Sequence, residues 1–364
     1  MANSLHTVFG LRDNGLPLVF LAPVAGYTNS PMRLLCHRHG ASMTYTEMVS
    51  ARGLIEPGSK LWPMLETSPA EGPVVAHLYG TEPDTFAEAA VQIEATRRFV
   101  AIDVNAGCPA PKVVATGAGS ELMKDPQRLH DIIVAVKQAV RLPVSLKTRL
   151  GVSPDKVLIY EVLAAAEAAG AAALALHGRY ASQGHRGLLH MDMIGQVKQR
   201  AKIPIIGNGN VHTPYAAWEM FEKTGVDAIM IARAAIGNPW LFQSIRASFA
   251  SKVKPPDRPR SHVRPQMGLD RVSATLEAHL TLELEHRTML HEKYGLPETA
   301  EAIEGAVVNV FRYHLFRYLH DLNGSSHVRR ALPELTTLAA IRAAVSACLG
   351  REAASRAAEA AGEK

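Results

Sequence analysis

Apolar runs and amphipathic segments alternate along the first two thirds of the chain. Eight apolar runs recur between residues 16 and 240, at 18–24, 42–48, 74–79, 100–104, 142–147, 172–177, 203–208 and 228–232. Segments with the period of a helix lie between them, for example at 83–98, 126–140, 156–169 and 214–224. Several of these segments begin after Ser, Thr or Asp or carry Pro in the first turn, and Gly170 and Gly225 follow two of them. The pattern predicts strands and helices in strict alternation.

The number of these units selects the fold. Eight strand–helix units over about 230 residues match the size of a (β/α)₈ TIM barrel. A doubly wound parallel sheet has the same alternation, but a G-x-G-x-x-G sequence does not open the first helix. We therefore predict an α/β fold in which residues 1–250 form a TIM barrel.

The remainder of the chain has a different composition. Residues 251–267 are basic and rich in proline without periodicity, which predicts a linker. Three amphipathic segments follow, at 269–294, 297–322 and 327–350, and predict a small helical domain over residues 268–350. Residues 351–364 are rich in alanine and charge, and we expect this tail to fray.

Each apolar run ends in a residue that is too polar or too special for a core. In chain order these residues are Pro23 with Ala25 and Gly26, Glu47, His77, Asn105, Lys147, His177, Asn208 and Arg233. Any one of them is typical of an ordinary solvated rim. In a barrel, however, all eight strands end at the same side, so the whole set is predicted to converge on one mouth. The set indicates a functional site there.

The sequence A-I-D-V-N-A-G-C-P at residues 101–109 supplies a candidate for chemistry. Its apolar beginning is typical of a buried strand, and Cys108 follows between a glycine and a proline. A thiol on a loop that a rigid scaffold holds is placed where catalytic groups are usually found. The alternative is that Cys108 is only a small buried apolar residue, which is the commoner role of a free cysteine.

Composition excludes several classes of protein. The 364 residues are 47% hydrophobic and 20% charged, as in ordinary globular proteins. The three cysteines at 36, 108 and 348 have no C-x-x-C spacing, which predicts a reducing cytoplasm, no structural zinc and no other metal. We see no signal peptide, and no apolar run has the roughly 18 residues of a membrane span. The formal net charge of +5 favours a polyanionic partner, and no protein partner is indicated.

Glycine and arginine at the seventh and eighth strand ends favour a phosphorylated cofactor. Residues 207–210 read G-N-G-N and allow backbone N–H groups to approach a phosphate, which Arg233 after Ala232 can clamp. The glycines fit simple turns as well. A flavin mononucleotide (FMN) fits the other strand ends. Lys147 would lie beside the N1/O2 edge of the flavin ring, His77 and Asn105 would bind its pyrimidine edge, and the backbone of residues 23–25 would lie along it. Cys108 would then stand above the ring as a thiol that donates a proton.

One helix of the predicted C-terminal domain combines cations with aromatic residues. The sequence F-R-Y-H-L-F-R-Y at 311–318 places Arg312, His314 and Arg317 beside aromatic rings. It is typical of an ordinary amphipathic helix with a solvated cationic face. It also suits an RNA-binding surface, because phosphates bind arginine and exposed bases stack on aromatic planes.

Seven segments of the chain resemble the tRNA-dihydrouridine synthase family of the bacterial FMN-dependent type. They are L-A-P-V-A-G-Y-T-N-S-P-M-R (21–33), T-E-M-V (46–49), D-V-N-A-G-C-P-A-P-K-V (103–113), L-K-T-R-L-G (146–151), L-H-G-R (176–179), I-P-I-I-G-N-G-N-V (203–211) and A-R-A-A-I-G-N-P-W (232–240). The resemblance implies an enzyme that reduces the C5=C6 bond of a uridine in the tRNA D-loop. FMN would deliver hydride to C6, NADPH would reduce the FMN, and the C-terminal helices would bind tRNA.

The resemblance also implies roles for single residues. Cys108 matches the cysteine that protonates C5. The matches to FMN contacts are Pro23, Val24, Ala25, Lys147, His177, Asn208, Gly209, Asn210, Ala232 and Arg233. The candidates for substrate contact are Lys112, Arg149 and Arg179, with Arg312, His314 and Arg317 in the helical domain. The chain departs from the family pattern at His77, where Gln is usual, at Asn210, where Asp is common, and at Ala232, where Gly is common.

Two other functions fit parts of the sequence. One is an FMN barrel that reduces a small pyrimidine, similar to dihydroorotate dehydrogenase, which leaves the basic helical domain unexplained. The other is an RNA-binding barrel without turnover, against which the intact Cys108, Lys147 and His177 argue.

Overall fold

A computed structural model describes residue 9 and residues 12–13, 16–257, 268–295 and 299–362. Most of the predicted linker, residues 258–267, therefore lies outside the described residues. The described residues divide into two compact units. The first contains the described residues up to Arg233 together with Trp240–Pro256, and the second contains Ala234–Pro239 and the described residues from Asp257 onward.

Eight parallel strands form the first unit's central sheet. They are β1 (Leu16–Leu21), β2 (Met43–Ser50), β3 (Val74–Tyr79), β4 (Ala101–Ala106), β5 (Val144–Arg149), β6 (Ala173–His177), β7 (Ile205–Asn208) and β8 (Ala228–Ile231). Each strand pairs in parallel with the next, and β8 pairs with β1. The sheet is therefore a closed (β/α)₈ barrel, and the predicted fold class is confirmed.

The strands are apolar because both of their faces are covered. All six residues of β4 and all five of β6 are buried. Side chains that point inward, such as Phe20, Tyr45 and Ile206, pack against one another and fill the barrel interior. The barrel is thus a packed core, and binding must take place at its end.

Helices follow most of the strands and cover the outside of the barrel. They are α1 (Ser30–Arg38), α2 (Ala51–Ile55), α3 (Pro83–Ala95), α4 (Pro111–Val114), α5 (Pro126–Ala139), α6 (Ile159–Ala168), α7 (Met191–Arg200), α8 (Pro214–Thr224) and α9 (Trp240–Ala250). Helix α8 has the predicted bounds, because Thr213 caps its first turn and Gly225 ends it at φ +66°. The helix predicted at 156–169 begins later, at Ile159. Gly151 at φ +144° opens a short antiparallel hairpin, Gly151–Ser153 with Lys156–Val157, before it.

The second unit is helical, as predicted. Its helices are α10 (Leu269–Tyr294), α11 (Ala300–Leu319), α12 (Ser325–Ala331) and α13 (Leu338–Ala360). The single helix expected at 327–350 is two helices, because Pro333 lies in the intervening turn and Thr337 caps α13. Among the described helices, none has both the length and the hydropathy that a bilayer crossing requires.

The expected frayed tail is a further difference from the sequence prediction. Helix α13 continues to Ala360, so most of residues 351–364 are helical. Glu352 is buried in this stretch and accepts hydrogen bonds from the Asn323 backbone N–H at 2.6 Å and from Arg356 Nε at 2.8 Å. These contacts hold the segment as part of the helix.

Candidate active site at the carboxyl ends of the barrel strands

The strand register brings the predicted polar residues together at the carboxyl end of the barrel, here called the mouth. Asn105 of β4 is the register partner of Lys147 of β5, and His177 of β6 is the partner of Asn208 of β7. Lys147 Nζ donates to Asn208 Oδ1 at 3.2 Å. Lys147 lies 42 residues after Asn105 in the chain, and Asn208 lies 61 residues after Lys147. The fold thereby places residues that are distant in sequence side by side.

A buried hydrogen-bonded chain begins at Asp103. Its Oδ2 lies 2.6 Å from His77 Nδ1, and its Oδ1 accepts a hydrogen bond from Ser145. A carboxylate only accepts, so Nδ1 of His77 carries the proton and Nε2 is left as an acceptor. Asn105 Nδ2 lies 3.1 Å from that Nε2 and donates to it. The tautomer of His77 and the orientation of the Asn105 amide therefore both follow from the Asp103 carboxylate.

The other end of the Asn105 amide holds the Cys108 loop. Asn105 Oδ1 accepts hydrogen bonds from the backbone N–H groups of Gly107 at 3.0 Å and Cys108 at 2.9 Å. Gly119, at φ +63°, packs against the same loop, and a Cβ there would lie 2.5 Å from the Cys108 carbonyl oxygen. Cys108 is partly exposed on a loop that is fixed from two sides.

His77 is turned away from the role that the sequence predicts for it. Both of its ring nitrogens are occupied by Asp103 and Asn105, and the residue is 2% exposed. The expected hydrogen bond from His77 to a flavin pyrimidine edge would require one of these two contacts to break. Asn105 is likewise engaged within the protein at both ends of its amide.

Arg149 and Arg179 tie backbone segments together. Arg149 donates from Nε to the Gly107 carbonyl at 2.7 Å and from a terminal nitrogen to the Gly184 carbonyl at 2.8 Å. Arg179 donates to the Gly187 carbonyl and to Asn210 Oδ1, both at 2.9 Å. Both arginines are 3% exposed. They position the loops of the mouth, which differs from the substrate contacts expected from the sequence.

The turn after β1 reaches the mouth next to the end of β8. The Ala22 N–H donates to the Ile231 carbonyl at 2.8 Å, so Pro23, Val24 and Ala25 follow beside Ala232. The Val24 carbonyl accepts from Tyr27 and Thr28 in a tight turn.

Glu47 fixes the same turn from its far side. Its carboxylate accepts a hydrogen bond from the Gly26 N–H. The polar end of β2 therefore has a structural partner, which accounts for a glutamate at this position.

The seventh and eighth strand ends have the backbone shape that the sequence suggests. Gly209 is buried at φ +130°, and a Cβ there would lie 2.4 Å from Leu189 Cδ1, so only glycine fits. Asn210 follows at φ +53°, and Arg233 is exposed and donates to the His185 carbonyl at 3.4 Å. Lys112 is exposed on α4.

The mouth is strongly cationic. Burial and the nearby Arg149 lower the pKa of Lys147 to about 8. Burial, with help from Arg149 and Lys147, lowers the pKa of His177 far below its ordinary value, so its imidazole is neutral at physiological pH. Positive charges are thus concentrated around the neutral ring of His177, and such a cluster of positive charge attracts an anion.

His185 belongs to this cluster and was missed in the sequence. Its ring lies 6.0 Å from that of His177, and burial and Arg149 lower its pKa to about 4. It lies on the loop after β6 without a recognisable motif, so only the fold reveals its position.

In the helical unit, the predicted RNA-binding residues separate. His314 is 0% exposed and packs 4.6 Å from His279, ring centroid to ring centroid, so it is a core residue and the prediction that it contacts RNA is wrong. Arg312 is partly buried and donates to the Leu335 carbonyl at 2.9 Å. Arg317 is partly exposed, and Tyr313 is 65% exposed. The helical period places His314 on the buried side of α11.

The residues at the mouth fit the phosphate and ring of a flavin nucleotide. Lys147 and Arg233 supply positive charge, and the glycine backbone at residue 209 leaves room for close approach. Of the departures from the family pattern, Asn210 is held by Arg179 and Ala232 is partly buried against the barrel core, whereas His77 bonds to Asp103 and Asn105.

Comparisons with known proteins identify the family of this chain. Residues 20–357 match the family model described as dihydrouridine synthase (Dus). The chain is 35% identical over 329 residues to the tRNA-dihydrouridine synthase B of Vibrio cholerae, which covers 90% of this chain and 93% of that protein. It is 38% identical over 237 residues to a probable tRNA-dihydrouridine synthase of Treponema pallidum, covering 63% of this chain and 70% of that one.

A solved structure shares the fold at low sequence identity. A 2-naphthoyl-CoA reductase in complex with 2-naphthoyl-CoA aligns with 65% of this chain and 50% of its own, at a TM-score of 0.50 and 11% identity. At 11% identity, that similarity shows the fold alone. The family model, in contrast, spans both units and includes the Cys108 loop, so the chain belongs to the dihydrouridine synthase family.

Proposed function

We propose that this protein is a tRNA-dihydrouridine synthase that reduces the C5=C6 bond of a D-loop uridine with FMN and NADPH. The observation that carries the proposal is a partly exposed thiol, fixed by Asn105, on a cationic barrel mouth in a chain of this family. We infer that it works in the cytoplasm.

The mouth supplies the contacts that hold the cofactor. Lys147, His177 and the Pro23–Ala25 backbone would bind the ring system. The phosphate end would be bound by Asn208, Gly209, Asn210, Ala232 and Arg233. When bound, FMN supplies the hydride that C6 of the uracil ring accepts.

Cys108 completes the reduction with a proton. The Sγ–H bond breaks as C5 of the uracil takes the proton, and the electron pair stays on sulfur as a thiolate. Burial lowers the pKa of both Lys147 and Arg149, but both side chains lie close enough to Cys108 to interact with a negative charge on it. The two cations therefore stabilise the thiolate until water returns a proton to it.

The substrate must reach this thiol as an extruded base. A uridine stacked in the tRNA offers neither face to a site at the end of a packed barrel, so it has to be unstacked. Exposed Lys112 and partly exposed Arg317 are candidates for phosphate contacts with the tRNA body.

The direct test uses purified full-length protein and tRNA that lacks dihydrouridine. We expect the protein to be yellow with about one FMN per chain, and to form dihydrouridine at one D-loop position when NADPH is added. Mass spectrometry of nuclease digests measures the product, and omission of NADPH is the control. A colourless protein that takes up no FMN on reconstitution, or a flavoprotein that leaves tRNA unchanged, contradicts the proposal.

Flavin affinity should depend on pH through Lys147. Because the Lys147 pKa lies near 8, its positive charge is present at pH 7 and is lost as the pH rises through 8. We expect the Kd of the flavin-free protein for FMN to increase by about tenfold between pH 7 and pH 9.5. Fluorescence titration measures this Kd.

The matched control for that titration is Lys147→Met. This variant should bind FMN more weakly at pH 7 and lose most of the pH dependence. An unchanged pH dependence in Lys147→Met would show that another group is responsible.

A further inference from the structure

Two helices of the second unit bring three metal-ligating side chains together in the protein interior. His279 and Glu283 lie one turn apart on α10, and His314 comes from α11. Each offers one ligand atom, and these atoms all lie within 4.8 Å of one another. Exposures of 0%, 4% and 0% show that the cluster is closed to bulk solvent.

The closest pair in this cluster is a histidine and a carboxylate. His279 Nε2 lies 3.3 Å from Glu283 Oε1, at the i, i+4 spacing that places both side chains on one face of the helix. The His279 and His314 rings meet edge to face with centroids 4.6 Å apart. The three groups therefore face a common point between the two helices.

Tyr318 orients one of the candidate ligands. Its hydroxyl lies 3.1 Å from His279 Nδ1, on the side of the ring opposite Glu283. In metal sites, the ring nitrogen that does not bind the metal usually bonds to such a group, which leaves the other nitrogen directed at the metal. Here Tyr318 bonds to Nδ1 of His279, so Nε2 of the same ring is directed at Glu283 and is placed to bind a metal between them.

The second histidine comes from the neighbouring helix. His314 of α11 is 0% exposed, and a histidine binds a metal through a lone pair on a ring nitrogen. One carboxylate and two neutral imidazoles form the donor set that Zn²⁺ accepts in sites with three protein ligands.

We propose that His279, Glu283 and His314 bind one divalent transition-metal ion, Zn²⁺ by ligand type, that joins α10 to α11. Ligand atoms around a tetrahedral zinc lie about 3.3 Å apart, so separations of up to 4.8 Å must close by at most about 1.5 Å when the metal binds. Water completes the coordination. The expectation of a metal-free chain rested on cysteine spacing, and this cluster contains no cysteine.

The experiment measures zinc in the full-length protein by inductively coupled plasma mass spectrometry. The protein is equilibrated with ZnSO₄ and desalted in buffer freed of metals. Wild type should retain about one Zn²⁺ per chain, and Glu283→Gln, which keeps the side-chain volume, should retain at least tenfold less. His327→Ala removes an exposed histidine of α12 and is the matched control, with wild-type zinc content.

Thermal unfolding gives a second readout that needs no reductase assay. Chelator should lower the Tm of wild type by several degrees, and added ZnSO₄ should restore it, with neither effect in Glu283→Gln. Less than about 0.1 Zn²⁺ per wild-type chain, or full retention by Glu283→Gln, overturns the proposal. If Glu283→Gln does not fold, the wild-type zinc content and its chelator response decide alone. FMN content and dihydrouridine formation are measured separately, so failure here leaves the proposed function untouched.

Discussion

Replacing Cys108 with alanine should lower the rate of dihydrouridine formation by about 10²- to 10⁴-fold, the range that a positioned general acid contributes. FMN content and the rate of NADPH oxidation should remain near wild type, because the thiol acts only after the flavin has been reduced. Product is measured by mass spectrometry of tRNA digests under single turnover, and flavin reduction by absorbance at 450 nm.

The chain offers a control for this thiol. Cys348 is a buried cysteine of α13 in the helical unit, so Cys348→Ala makes the same chemical change without touching the mouth. It should cost some stability from the small cavity, yet leave turnover within about twofold. Full tRNA reduction by Cys108→Ala would assign the proton to another donor.

The barrel was predictable from sequence because apolar runs mark its strands and turn residues mark their ends. The run at 74–79 matches β3 residue for residue, since a buried strand is mostly apolar and Gly80 ends it. Convergence of Lys147 and Asn208 was predictable for a different reason. All parallel strands of a barrel end on one side, so polar ends meet whatever their separation along the chain.

Partners within the site depend on register, which the sequence does not state. His77 lies opposite Asp103 because β3 and β4 pair at that position, and a shift of one residue would turn one of them out of the barrel. The aspartate inside an apolar run gave a signal that a partner had to exist, because an ionised carboxylate is not buried alone. The same reasoning finds Ser145, which bonds to the same carboxylate from β5.

The buried faces of the C-terminal helices were harder to predict from sequence, for a related reason. An amphipathic pattern with two polar sides does not reveal which side is buried, and His314 lies on the buried one. The cationic and aromatic residues of F-R-Y-H-L-F-R-Y suited both an ordinary amphipathic helix and an RNA-binding face, and the sequence did not show that His314 would be buried while Tyr313 is exposed.

The histidine at position 77, where the family usually has glutamine, has a structural explanation. A protonated Nδ1 satisfies Asp103, and the unprotonated Nε2 satisfies Asn105, so one ring links a buried carboxylate to the amide that holds the Cys108 loop. We infer that His77 and Asp103 are positioning residues for Cys108. His77 contacts both Asp103 and Asn105, so we expect the effect of the two residues on the Cys108 loop to pass through Asn105.

Asp103→Asn tests this inference, and we expect kcat for dihydrouridine formation to fall about 10- to 100-fold with KM for tRNA nearly unchanged. The amide can donate to His77 Nδ1, which moves the ring proton to Nε2. Asn105 must then turn its oxygen towards His77, and its NH₂ group faces the N–H groups of Gly107 and Cys108, donor against donor. A hydrogen bond to a charged group contributes about 1.5 to 3 kcal/mol, which sets the expected range.

A loosened loop leaves a signature that simple destabilisation of the core does not. Iodoacetamide should alkylate Cys108 several-fold faster in folded Asp103→Asn than in wild type, whereas FMN content stays the same. Asp131→Asn makes the same change at an exposed carboxylate of α5, which bonds to Gln127 at 2.8 Å, and should alter neither kcat nor alkylation. If Asp103→Asn folds, binds FMN and keeps kcat within twofold of wild type, the Cys108 loop does not depend on this buried chain and Asn105 is held by the loop backbone alone.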